Sequence, residues 1–188
     1  SLEGATEELD FSYLFGTNAL LAELLKTEIF NNKNLDFKLN INANKIKNNR
    51  NFINLSLKSK FQEGLIDIDD TKLEWKDSSL IKLTDTLIFV RDGKLFLEGK
   101  SKIKITNAKN IYKFLFTPKN FRKNIKTIDL GFSYSFDEKA IIINDIMIDG
   151  KYNQKVNSKL NNIYFRGSSM QNKIYLKNMI NDLLKSYS

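Results

Sequence analysis

The sequence predicts a mainly β fold: one long, twisted antiparallel meander, forming an open groove or a partly closed sheet. Amphipathic helices flank it at the N- and C-termini, and one short helix is inserted mid-chain. Three observations carry this prediction. From Leu35 onward apolar residues recur with a period of two, as Leu35, Phe37, Leu39 and Ile41 alternate with Asp36, Lys38, Asn40 and Asn42. The alternating runs are separated by turn signals, of which Asp92-Gly93 and Asp149-Gly150 suit two-residue hairpins. Most runs follow one another without an intervening helix, which points to a meander and away from βαβ units.

Taken in order, residues 1–16 read as an irregular lead-in, with residues 1–4 a possible cloning remnant outside the fold. A helix is expected from Thr17 or Asn18, either of which can cap free amides. Leu20, Leu21, Leu24 and Leu25 form its apolar stripe, Ile29 continues it, and Asn31 and Asn32 end it. Alternating runs are then expected at 52–61, 65–68, 73–75, 81–83, 87–90, 95–97 and 103–105. Further runs follow at 128–136, 141–143 and 146–148, with a tight turn at Asp137-Glu138-Lys139. A last pair of strands is expected at 152–160 and 163–166.

The meander is interrupted at residues 107–116, where Ile111, Phe114 and Leu115 have helical spacing and Pro118 marks a stop. Lys119, Arg122, Lys123 and Lys126 follow at i, i+3, i+4 and i+7, so a helix would put all four cations on one face. A closing helix starts near Asn172 with the stripe Leu176, Met179, Ile180, Leu183 and Leu184. No linker or exact repeat divides the 188 residues, so a single domain is expected.

Composition narrows function by exclusion. The chain has no Cys and no His, which removes disulfides, thiolate chemistry, imidazole bases and the usual zinc ligands. No run of about twenty apolar residues suggests a transmembrane helix, and the polar opening lacks the apolar core of a signal peptide. The net charge is +8, but the cations are mostly Lys, which travels with abundant Asn and Ile. Arg occurs only as Arg50, Arg91, Arg122 and Arg166, so nucleic acid is not an expected partner.

No catalytic pattern is well formed. Ser79 with Lys82 and Ser101 with Lys104 have Ser-x-x-Lys spacing, but on strands these positions point to opposite faces. Asp67, Asp69 and Asp70 lack the glycine and distal glutamate of a calcium loop. The glycines form neither a dinucleotide fingerprint nor a P-loop. The reading is therefore a non-enzymatic chain with no metal and no cofactor.

An amphipathic sheet must hide its apolar face by closing, stacking or taking cover from helices. What stays uncovered is a groove suited to acyl chains. Its candidate lining residues are Leu73, Trp75, Ile81, Leu83, Leu95, Leu97, Phe132 and Tyr134; a closed core made of the same residues is the open alternative. Lys119, Arg122, Lys123 and Lys126 are candidates for an anion or phospholipid headgroup site beside Phe114, Phe116 and Phe121, with a solvated face as the alternative.

The stretches GLIDIDDTKLEW (64–75), LIKL (80–83) and GKLFLEG (93–99) resemble the carboxy-terminal region of the AsmA family, where a "kLxW" strand precedes a "dGkLxLxG" hairpin. ITNAKNIYKFL (105–115) resembles the short helix that interrupts those strands, residues 128–150 the strand pair after it, and KNMINDLLKSY (177–187) the end of the region. The resemblance spans roughly residues 10–188 and rests on strand rhythm. It implies the periplasmic part of an inner-membrane-anchored Gram-negative envelope protein, a fragment of a longer chain. It also implies phospholipid or acyl chains as ligands, membrane surface or envelope proteins as partners, and a role in outer-membrane biogenesis or phospholipid transport. A protein-interaction or structural end-cap module of a longer periplasmic β-structure is the alternative.

Overall fold

The computed structural model describes residues 1–15, 19–27, 29–32, 35–161, 165–166 and 172–187. One long mixed sheet dominates it. In chain order its strands are β1 (Leu2–Leu9), β2 (Asp36–Ile46), β3 (Asn49–Gln62), β4 (Leu65–Asp67), β5 (Lys72–Trp75), β6 (Ser79–Arg91), β7 (Lys94–Ile105), β8 (Thr127–Ser135), β9 (Ala140–Ile148), β10 (Lys151–Tyr152) and β11 (Phe165–Arg166). The helices are α1 (Ser12–Phe15), α2 (Leu20–Lys26), α3 (Ala108–Leu115), α4 (Gln154–Leu160) and α5 (Lys173–Ser186). Spatial order runs from β1 to β10 in sequence, and β4 and β5 share one slot between β3 and β6. The two ends of this path do not pair with each other, so the sheet is open.

Hairpins join most neighbours. Asp92-Gly93 and Asp149-Gly150 turn with φ of 52° and 70°, and 50° and 73°. Asp and Gly tolerate this left-handed pair, which matches the twist of the flanking strands. Register then sorts the side chains. Paired positions such as Leu57 with Ile41, Leu73 with Ile81, Ile81 with Ile103, and Leu97 with Tyr134 put apolar groups on one face. The other face carries Lys58, Lys82, Lys100 and Lys102.

Several strands bend along one band of the sheet. Register shifts fall between Ile53 and Ser56, Thr84 and Leu87, and Asp129 and Gly131. The bulge residues Asn54, Asp85 and Asp145 have positive φ. In β7 the same band holds Gly99, where an added Cβ would lie 2.3 Å from Thr86 Oγ1. Bulges and glycines of this kind increase twist and curl a sheet, which makes the apolar face concave.

Two core clusters sit on that face. One gathers Leu25, Ala22, Phe61, Ile66, Ile88 and Leu95 under α2. The other gathers Ile125, Ile146, Ile148, Val156 and Leu160 under α4, with Leu183 and Leu184 of α5 against it. The expected stripe Leu176, Met179, Ile180, Leu183 and Leu184 is the half-buried side of α5, while Lys173, Asn178, Asp182 and Lys185 are exposed.

Four expectations are corrected. Residues 1–16 are not an irregular lead-in: Leu2–Leu9 is a strand pairing in parallel with β2, from Leu2 with Leu39 to Leu9 with Ile46. It is exposed almost throughout, so it carries no apolar alternation, and backbone pairing defines it together with the Glu7–Lys45 and Asp10–Lys47 ion pairs. Residues 119–126 are not a helix. A single 3₁₀ turn over Lys119–Phe121 gives way to extended chain. The Tyr112 hydroxyl donates to the Lys123 carbonyl and accepts from its N–H, and Ile125 is buried. Residues 154–160 are helix α4, capped by Asn153, because Val156, Asn157 and Leu160 bury at helical spacing. Finally, the runs at 81–83 and 87–90 belong to one strand, as do those at 95–97 and 103–105, and those at 141–143 and 146–148. The expected caps Thr17 and Asn18, and Ile163 of the last strand, lie outside the described residues; α2 begins after Ala19 and ends at Lys26.

Candidate functional site

The concave face is left open between α2 and the middle of the sheet, as a groove of about 880 Å³. Its floor is built from alternate residues of successive strands: Leu39 and Ile41 of β2, Leu55 and Leu57 of β3, Leu73 of β5, Ile81 and Leu83 of β6, and Leu97 of β7. Phe11, just before α1, and Leu21 and Ala22 of α2 form a wall. Ala19, Ala22 and Leu25 turn the inner side of α2 to the sheet, which holds this wall in place.

The segment 68–71 crosses the floor and is bonded tightly to the β6 bulge. Ile68 N–H donates to the Thr86 carbonyl, Thr86 N–H donates to Asp69 Oδ1 at 2.6 Å, and Leu83 N–H donates to the Thr71 carbonyl. Asp67, Asp69 and Asp70 are thus used locally: Asp67 accepts from Asp69 N–H, and Asp70 pairs with Lys82 at 2.5 Å. Lys82 lowers the Asp70 carboxyl below its ordinary range through that hydrogen bond. Thr71 lines the floor with a buried hydroxyl that has no hydrogen-bond partner among the described residues; the Ser79 hydroxyl shares that condition. Ser79 is buried on the concave side, whereas Lys82 is taken by Asp70. Ser101 is buried and Lys104 is exposed. Neither Ser–Lys pair is assembled.

Polar groups gather at the rim. Lys26 of α2 meets Asp137 of the β8–β9 turn at 2.5 Å and Glu23 at 3.8 Å, and Leu95 N–H donates to Asp137 Oδ2 at 2.8 Å. Burial works to raise the Asp137 carboxyl, but the Lys26 and Leu95 hydrogen bonds outweigh it and hold the group below its ordinary range. The same contact raises Lys26. Lys139 also lines the rim and forms no ion pair among the described residues. Burial pushes the Tyr134 hydroxyl above its ordinary value.

Of the groove residues expected from sequence, Leu73, Ile81, Leu83, Leu95, Leu97 and Tyr134 line this space. Trp75 and Phe132 do not. Trp75 lies beyond Leu73 on the same strand face, with the ring centres of Phe52 and Phe114 at 6.2 Å and 5.2 Å and the Phe114 ring perpendicular to it, so α3 packs over it. Phe132 pairs with Ile143 and Gly99, further along the sheet toward the second cluster. The wall residues Phe11, Leu21 and Ala22 escaped the sequence reading as groove residues, although Leu21 was already part of a helical stripe.

No helix aligns Lys119, Arg122, Lys123 and Lys126, because only Lys119–Phe121 makes a 3₁₀ turn. Arg122 Nε donates to the Thr117 carbonyl, Lys123 is held through its main chain by Tyr112, and Lys126 N–H donates to Asp149. A cation from elsewhere, Lys177 of α5, sits 4.5 Å and 4.3 Å from the rings of Phe114 and Phe116. Among the described residues no group of three acidic side chains could hold a metal ion, and no helix is long and apolar enough to cross a membrane. No protein family, curated protein or solved structure matches the chain.

Proposed function

We propose that the chain is a non-enzymatic lipid-handling module that holds or conducts acyl chains along its concave groove. The observation that carries this reading is the groove itself: about 880 Å³ of space, walled mainly by Leu, Ile and Phe. Sites for single small ligands span about 300–1,000 Å³ and are mostly apolar with few polar groups. Each methylene moved from water into such a place gains about 0.8 kcal/mol. The resemblance to the AsmA family adds a setting: the periplasmic side of an inner-membrane-anchored envelope protein, serving outer-membrane biogenesis or phospholipid transport.

Native mass spectrometry of detergent-free protein tests the reading, with phospholipid or fatty-acid adducts expected. Leu83→Trp with Leu97→Trp should remove the adducts while the protein stays folded, because the added rings occupy existing space. Adduct-free wild-type protein that also fails to take up a fluorescent fatty acid would overturn it. That result would favour a protein-interaction or end-cap module, for which β1 is the supporting observation: an exposed edge strand whose outer side pairs with nothing described.

A further inference from the structure

The groove leaves one surface unexplained. Phe116 is 78% exposed, more than any other Phe with a described side chain. It caps the C-terminus of α3 at φ 54°, ψ 35°. That left-handed position normally belongs to Gly or Asn, because a Cβ crowds the next carbonyl. The other non-glycines at positive φ are mostly Asn and Asp, and Phe116 is the aromatic among them. Backbone preference therefore does not account for a phenylalanine here, nor does burial.

The surroundings hold the ring outward. Leu115 and Thr117 on either side are 3% and 2% exposed. Asn181 of α5 clamps both, donating to the Leu115 carbonyl at 2.9 Å and accepting from the Thr117 hydroxyl at 2.6 Å. The chain on either side of the tip carries charge of one sign. Between residues 107 and 128 there are six cations, Lys109, Lys113, Lys119, Arg122, Lys123 and Lys126, and no acidic residue. None of the six forms an ion pair among the described residues, and neither does Lys177 beside the ring.

We infer that this tip docks the protein on the surface of an anionic bilayer, with Phe116 entering the headgroup layer and the surrounding cations meeting lipid phosphates. A rigidly presented aromatic on a basic segment combines the two attractions that peripheral attachment needs, apolar insertion and charge. A nucleic-acid strand would share the charge but would use stacked aromatics with Arg, and Arg122 is the one Arg in this segment, its Nε held by the Thr117 carbonyl. This surface is separate from the groove and does not depend on what the groove holds.

Co-sedimentation with phosphatidylcholine vesicles, with and without phosphatidylglycerol, tests the inference. Wild-type protein should pellet only with the anionic vesicles, and less as salt rises. Phe116→Asn suits the left-handed backbone, so it should keep or raise the melting temperature while weakening binding about tenfold. Lys113→Glu with Lys119→Glu should abolish binding. The Leu83→Trp, Leu97→Trp protein should bind like wild type, which separates this surface from the groove. Absence of wild-type binding at low salt overturns the inference. So does Phe116→Asn binding equal to wild type, which would reduce the patch to charge alone.

Discussion

The Asn157 side chain grips the main chain of Ile146 at both of its polar groups. Ile146 N–H donates to Asn157 Oδ1, and Asn157 Nδ2 donates to the Ile146 carbonyl, each at 2.8 Å. Ile146 follows the β9 bulge and has no partner in the β8 register, so a helical side chain takes the place of a neighbouring strand. The contact is buried, with Asn157 3% exposed, and it joins α4 to the sheet.

Asn157→Ala would leave two buried backbone groups unpaired. The expected loss is about 2–4 kcal/mol of unfolding free energy, read by urea denaturation. A loss below about 1 kcal/mol would show that water reaches Ile146 easily.

Gly99→Ala should be worse tolerated than Gly131→Ala. A Cβ at Gly99 meets Thr86 Cα at 2.6 Å, whereas at Gly131 the nearest atom, the Asn144 carbonyl oxygen, is 3.3 Å away. Overpacking against backbone costs about 1–3 kcal/mol. Melting temperatures of the two variants check the order, and equal values would mean that the bend yields freely.

Acid should loosen the N-terminal part of the protein. Asp137 is held below its ordinary pKa, and Asp10 is lowered to about 2 by hydrogen bonds from Ser12 and Lys47. A depressed carboxyl contributes stability that is present above its unfolded pKa and lost as pH falls through the folded one. Melting temperature should therefore be level above about pH 5 and decline between about pH 4 and pH 2. Asp137→Asn should bring part of that decline to neutral pH and raise binding of a hydrophobic dye, as α2 detaches from the turn. Unchanged dye binding would mean that apolar packing alone holds α2.

Truncation after Gly167 removes α5 and uncovers the second core cluster. Fully burying a large apolar side chain gains about 1.5–3 kcal/mol, so losing the half-buried Leu183 and Leu184 with their neighbours approaches the whole margin of a domain. Aggregation or a large fall in melting temperature is expected. A stable, soluble truncated protein would free the α5 stripe for a partner.

The sheet and the α5 stripe were legible because each has one wet face and one dry face, and that contrast is written as period two or as helical spacing. β1 was illegible for the opposite reason: both of its faces are wet. The bulges were legible in part. Inward positions change parity from Phe52 to Leu55, from Leu83 to Ile88 and from Ile143 to Ile146, and Asn54, Asp85 and Asp145 lie at these breaks. Reading the breaks at Asp85 and Asp145 as strand ends split β6 and β9 in two, whereas the run 52–61 was read through Asn54. Leu73 and Trp75 look equivalent in alternation, and only the position of α3 separates a groove residue from a covered one. The basic run at 119–126 has helical spacing by coincidence, because burial of Ile125 and the Tyr112 contact decide its backbone.

The contact between Lys26 and Asp137 spans 111 residues of chain. Helix α2 is made long before the turn that holds it, and its seven residues are too few to persist alone. Contacts so distant in sequence are slow to establish. The wall of the groove is therefore the late step of assembly, completed only when the sheet beneath it exists. Loss of the Lys26–Asp137 contact would therefore loosen the wall without breaking a strand pair, since neither residue belongs to the ladder.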